Sequence, residues 1–163
     1  MGIMRKVFMM MLVALITSVN MPATDFKTYE NKLFTIGYPA DWEVTYEGDE
    51  CLNVASWNGE IRFDVTYGDD GPLMSQIQEV ADNWAYMKES HGHKVDQKMV
   101  REDYALVRSI ETDEDDGSKT VYVWFIMMIR DKQCFTGGIQ SPFSKANESL
   151  DLLVEMLATL SPK

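Results

Sequence analysis

Val121-Tyr-Val-Trp-Phe-Ile-Met-Met-Ile129 is apolar at every position and rich in β-branched and aromatic residues. A strand with this pattern needs cover on both faces, so it is expected at the centre of a sheet with layers on either side. Its neighbours read the same way. Val95–Arg101, Tyr104–Thr112 and Gln133–Gln140 are extended segments, and an acidic turn at Asp113-Glu114-Asp115-Asp116-Gly117 separates the second from Thr120–Arg130. Four strands in succession make an antiparallel meander.

The cover is supplied from both sides of the meander in sequence. Pro72 opens a segment in which Leu73, Ile77, Val80, Trp84 and Met87 recur at spacings of three and four, with Gly92 beyond its end. This is one stripe of an amphipathic helix. Ser144, an N-cap residue type, precedes Ala146, Leu150, Leu153, Leu157 and Leu160, and Ser161-Pro162 follows as a stop. Helices over 72–90 and 144–160, one on each face, give an α+β fold: an α/β/α sandwich around a central antiparallel sheet.

Upstream, residues 27–57 read as three short strands broken at Tyr38-Pro39-Ala40-Asp41 and Glu47-Gly48-Asp49-Glu50. Asn58-Gly59 then joins Leu52–Trp57 to Glu60–Tyr67 and suits a two-residue hairpin turn. In the second of these strands Ile61, Phe63, Val65 and Tyr67 alternate with Arg62, Asp64 and Thr66, the signature of a half-buried strand. Gly137-Gly138 lacks a following phosphate-binding helix pattern and reads as a bulge or a close backbone approach.

Phe34–Val44, a strand ending in Tyr38-Pro39 with Trp42 following after two intervening residues, resembles the opening of the PsbP-like superfamily, as does the order of elements. That group includes the photosystem II extrinsic protein, a Ran-binding nuclear import factor and DcrB-like bacterial envelope proteins. The resemblance implies an α/β/α sandwich. It implies no catalytic residues, because the group shares no active site. Tyr38, Pro39 and Trp42 have a structural reason of their own: Pro39 ends a strand by removing a donor, and Trp42 buries a large ring beneath the turn.

The N-terminus carries Arg5 and Lys6 and no acid, followed by the ten apolar residues Val7 to Ile16. This is the charge and length pattern of a secretory signal, about half of what a membrane-spanning helix requires. Residues 1–23 are expected to be a signal peptide, cleaved after Ala23, with cleavage after Ser18 or no cleavage as the alternatives, and 24–163 a single domain, periplasmic or secreted, without stable membrane insertion once the signal is removed. The formal net charge of −11 becomes more negative once Arg5 and Lys6 are lost. Such a surface repels phosphate backbones, so nucleic acid is not an expected partner.

Two cysteines, Cys51 and Cys134, follow the signal. An oxidising compartment raises the expectation of a disulfide between them; two separately buried thiols account for the same residues. His91 and His93 form the only histidine pair, with Glu89 and Asp96 near, fewer ligands than a zinc site uses. The acids of 113–117 lack calcium-loop spacing and suit a hairpin turn. No catalytic, cofactor-binding or metal residue is assigned, and no cofactor is expected. The expected role is an exported, non-enzymatic accessory or binding domain of the bacterial envelope, whose partner is a protein or a small apolar ligand. The alternatives are a hydrolase combining His91 or His93 with a carboxylate and Ser or Cys51, and a structural subunit of an envelope assembly.

Overall fold

The computed structural model describes residues 24–163; the expected signal, residues 1–23, lies outside the described residues. In chain order the elements are β1 (Phe26–Glu30), β2 (Phe34–Pro39), β3 (Glu43–Glu47), β4 (Cys51–Ala55), β5 (Arg62–Gly68), α1 (Ile77–Ser90), β6 (Lys94–Val100), β7 (Tyr104–Thr112), β8 (Lys119–Arg130), β9 (Gln133–Pro142), α2 (Ala146–Thr159) and β10 (Ser161–Pro162). Short 3-10 turns precede both helices. The strands form a seven-stranded antiparallel sheet, β3-β4-β5-β9-β8-β7-β6, and a three-stranded one, β1-β2-β10.

The α+β sandwich and the β6-β7-β8-β9 meander agree with the sequence pattern. The strand at the middle differs. β5 pairs over its whole length with residues 134–140 of β9, which adds β3, β4 and β5 on that side and makes β9 central. β8 remains interior. Its Val121, Val123 and Phe125 enter one core, with Phe34, Ile36, Phe63, Val65, Phe135, Leu153 and Met156; the small sheet and α2 cover this face. Ile126 and Met128 enter the other core, where α1 supplies Ile77 and Ala81.

Four strands, not three, occupy residues 26–55, because Asn31 breaks the first expected strand. Its side-chain oxygen accepts from the backbone N–H groups of Leu33 and Phe34, each at 2.9 Å, an alternative partner that turns the chain. The β4–β5 hairpin is present, but its connection is the six-residue loop 56–61 and not a two-residue turn. Ser56 takes up the spare groups: its carbonyl accepts from Gly59 N–H at 2.7 Å and its hydroxyl from Ile61 N–H at 3.1 Å. Gly59, at φ +70, provides the left-handed step.

Helix α1 begins at Ile77, after Pro72, and buries Ile77 and Ala81 while leaving Leu73 and Met87 about 40% exposed. The apolar stripe is thus rotated slightly from the expected one. Its C-terminus is closed by Gly92 at φ +82, with Gly92 N–H on Glu89 O at 3.0 Å and His93 N–H on Lys88 O at 3.1 Å, a Schellman arrangement. In α2, Ser144 falls within the 3-10 turn and makes no side-chain cap. Ser161 and Pro162 pair with β2 in place of acting only as a stop.

Candidate functional site

Helix α1 packs on β6 and β7 and reaches Ile126, Met128 and Cys134 of β8 and β9, whereas on the same face of β4 and β5 Asn53 is half-buried and Arg62, Asp64 and Thr66 are exposed. Register fixes what that face presents. One cross-strand row reads Asn53, Asp64, Gly138, Trp124; the next reads Ala55, Arg62, Gln140, Tyr122. These residues line a trough of about 460 Å³, within the range of small-molecule sites.

Gly138 makes the trough. It stands between Asp64 on β5 and Trp124 on β8 and contributes no side chain to the floor. The two glycines also let the backbones approach closely: a Cβ on Gly138 would lie 2.9 Å from Val123 O, and one on Gly137 would overlap Asp64 O and lie 3.0 Å from Val65 Cα. The close approach expected of this pair is therefore present.

The α1 side of the trough is aromatic. Trp84 and Trp124 have ring centroids 6.1 Å apart, and Lys88 Nζ lies 4.6 Å and 5.2 Å from the ring centroids of Trp124 and Tyr122. Lys88 is also paired with Glu111 at 3.2 Å. The Trp124 indole N–H is buried without a hydrogen-bond partner. Burial holds the Tyr122 hydroxyl above its ordinary range, with Glu111 adding to the effect and Arg62 opposing it. On the floor, burial pushes the Asp64 carboxyl up.

The residues singled out in the sequence lie elsewhere or apart. His91 is exposed, its Nδ1 2.6 Å from Met87 O, an acceptor for that ring proton. Ser90 Oγ lies 3.4 Å from the same nitrogen but donates to the same carbonyl at 2.8 Å, so the two cap a helix and do not form a nucleophile–base pair. His93 turns to Glu111, at 3.4 Å. No group of three or more candidate metal ligands occurs among the described residues. Cys51 is on β4, next to one edge of the large sheet, whereas His93 precedes β6 at the other.

Cys51 and Cys134 are free thiols in this structure. β5 lies between their strands, with Cys51 opposite Thr66 and Cys134 opposite Gly68. Two strand spacings alone separate them laterally by about 9.5 Å, beyond disulfide reach. Burial raises the Cys134 thiol. The acids at 113–117 serve the turn: Asp113 Oδ1 accepts from Asp115 N–H at 2.8 Å, and Asp116 Oδ1 from Ser118 N–H at 2.7 Å. Tyr38 and Trp42 are buried, and Trp42 N–H closes a turn on Pro39 O at 3.0 Å, in keeping with the structural reading of this motif.

The sequence pattern did not single out Asp64, Gly138, Trp124 or Gln140 as a group. Each was legible alone, Asp64 as a solvent-side residue and Gly138 as a backbone contact. Only the β5–β9–β8 register brings them together.

No protein-family model matches the chain, and no curated protein does. Solved structures do. The Saccharomyces cerevisiae Ran-binding protein Mog1p superposes with a TM-score of 0.60 at 12% identity, over 85% of this chain and 96% of that one. Cyanobacterial PsbP (CyanoP) from Synechocystis sp. PCC 6803 gives 0.50 at 6% identity, over 92% and 99%. A Bacteroides thetaiotaomicron protein gives 0.49 at 16% identity, and the chain spans 45% of its length. The likeness to Mog1p and PsbP is one of fold: this chain has the PsbP/Mog1p type of α+β sandwich.

Proposed function

We propose that this chain is an exported, non-enzymatic binding domain of the bacterial cell envelope, and that it holds a small ligand in the trough over Gly138. The observation that carries the reading is the half-covered sheet: α1 shields β6 and β7, while β4, β5 and β9 face outward around a gap bounded by Trp124, Tyr122 and Asp64. Export is supported by the charge and apolar pattern of residues 5–16.

A protein partner is the second reading. Trp57, at the tip of the β4–β5 loop, is 78% exposed, and exposed tryptophans are frequent anchors of protein interfaces. Mog1p, of the same fold type, is described as Ran-binding; that description supports only the general idea of a binding role here.

Native mass spectrometry of the protein taken from its own compartment tests both readings. A chain lacking the first 23 (or 18) residues and carrying a small-molecule mass is the expected result. Co-purification of a stoichiometric protein would favour the second reading. A full-length, unoccupied chain would overturn the export and ligand proposals together.

A further inference from the structure

We propose that Asn58 is a site of spontaneous deamidation, and that the β4–β5 loop, which presents it to water, also holds the reaction back. Asn58-Gly59 is the one Asn-Gly pair in the chain, and Asn58 is exposed beside the exposed Trp57. Gly59 has no Cβ to hinder attack by its own nitrogen. The step closes a ring. Gly59 N bonds to Asn58 Cγ and gives its proton to hydroxide or water; the Cγ–Nδ2 bond breaks, and the amide nitrogen leaves as ammonia after taking a proton from water. Water then opens the succinimide at Cγ, which gives aspartate, or at the Asn58 main-chain carbonyl, which gives isoaspartate. Water is the only co-reactant.

The loop opposes this exchange at both reacting groups. The proton that must leave Gly59 N is held by Ser56 O at 2.7 Å. The carboxamide is pinned as well: Asn58 Oδ1 accepts from the Ser56 hydroxyl at 2.8 Å and from Glu60 N–H at 3.2 Å. Ser56 is fixed in turn. Its hydroxyl oxygen accepts from Ile61 N–H at 3.1 Å and its own N–H donates to Ile61 O at 2.9 Å, and Ile61 is buried in the core. On the far side Glu60 is tied to Lys145 at 3.0 Å, and its carboxyl is held below the ordinary range by Lys145 first and by the Asn58 side chain second. The donors on Oδ1 also polarise the carbonyl, which favours attack. A polarised carbonyl gains nothing, however, until Gly59 N gives up the proton that Ser56 O holds, so the restraint wins.

The test is incubation of the folded full chain in warm, mildly alkaline buffer, with the same chain unfolded in guanidinium chloride as the reference. Peptide mass spectrometry after digestion locates the amide-to-acid change. The unfolded chain is expected to convert at Asn58, and the folded chain about tenfold more slowly, the worth of one hydrogen bond that must open first. Ser56→Ala, which frees Asn58 Oδ1 and unpins Ile61 N–H, is expected to speed conversion of the folded chain several-fold. Equal rates in the folded and unfolded chain, or a Ser56→Ala chain that converts more slowly than the parent, would overturn the protection. Absence of conversion at Asn58 in the unfolded chain would overturn the site itself. If Ser56→Ala does not fold, the comparison of folded with unfolded parent decides.

Discussion

Replacing Gly137 by alanine should be among the most damaging single-methyl changes in this protein. The new Cβ would overlap the Asp64 carbonyl oxygen and stand 2.9 Å from its carbon and 3.0 Å from Val65 Cα. All three are backbone atoms of β5, which pairs with β9 from Arg62 to Gly68, so no rotamer change can relieve the clash. Overpacking costs about 1–3 kcal/mol where side chains can yield, and a main-chain obstacle puts this case at about 3 kcal/mol. The smaller unfolded-state entropy of alanine returns about 0.4–1 kcal/mol. A net loss of about 2–3 kcal/mol follows, which for a domain of roughly this size lowers the Tm by about 6–12 °C. Gly138→Ala, facing Val123 O at 2.9 Å, should lose less, about 1–2 kcal/mol. Gly68→Ala meets nothing within 4 Å and should be neutral or gain up to about 1 kcal/mol. Urea melts followed by tryptophan fluorescence measure all three. A Gly137→Ala midpoint equal to that of Gly68→Ala, at unchanged slope, would refute the close-approach argument.

Asp64→Asn should stabilise the fold at pH 7. Burial raises the folded carboxyl above its ordinary 3.8, so ionisation costs stability as pH rises through the folded value, and the penalty is absent below the unfolded one; an equal gain at about pH 3 in urea melts would rule this origin out. Phe34→Ala should cost about 3–5 kcal/mol, because Phe34 is fully buried and meets Phe135 edge-on at 5.6 Å, joining the small sheet to the large one; a loss under about 1 kcal/mol in a denaturant titration would contradict that role. Intact mass with alkylation should find two free thiols, Cys51 modified in the native protein and the buried Cys134 only after unfolding. A mass two protons lighter that reverts on reduction would show instead that the cysteines are bonded. Ser149→Ala should cost about 1–3 kcal/mol in thermal unfolding, since it strips the buried Ser141 hydroxyl of its 2.8 Å partner; a Tm within 1 °C of the parent would indicate that Ser141 finds another.

Local patterns carried most of the architecture. The uninterrupted apolar run of β8, the alternation in β5 and the i, i+3, i+4 stripes of both helices reflect which faces are buried, and burial is written residue by residue. Strand partnership is not. Nothing in Glu60–Tyr67 names β9 as its neighbour, because the pairing spans about seventy residues and both strands offer the same generic backbone groups. The trough depends wholly on that pairing. Asp64 looks like any water-facing acid until Gly138 is set beside it, and Gly138 looks like a bulge until Trp124 is seen on its other side. The two-residue turn expected at Asn58-Gly59 missed because Ser56, an unremarkable residue in sequence, supplies both a carbonyl and a hydroxyl to the loop.

The small sheet has a temporal consequence. Strand β2 lies between β1 and β10, and Gly37 N–H donates to Thr159 Oγ1 at 2.7 Å, a contact between residues 122 positions apart. Phe34 and Ile36 therefore cannot be sealed into the core until residues 159–163 have been synthesised, and non-local closures of this kind are slow. A nascent chain with this wiring stays open while it is being made.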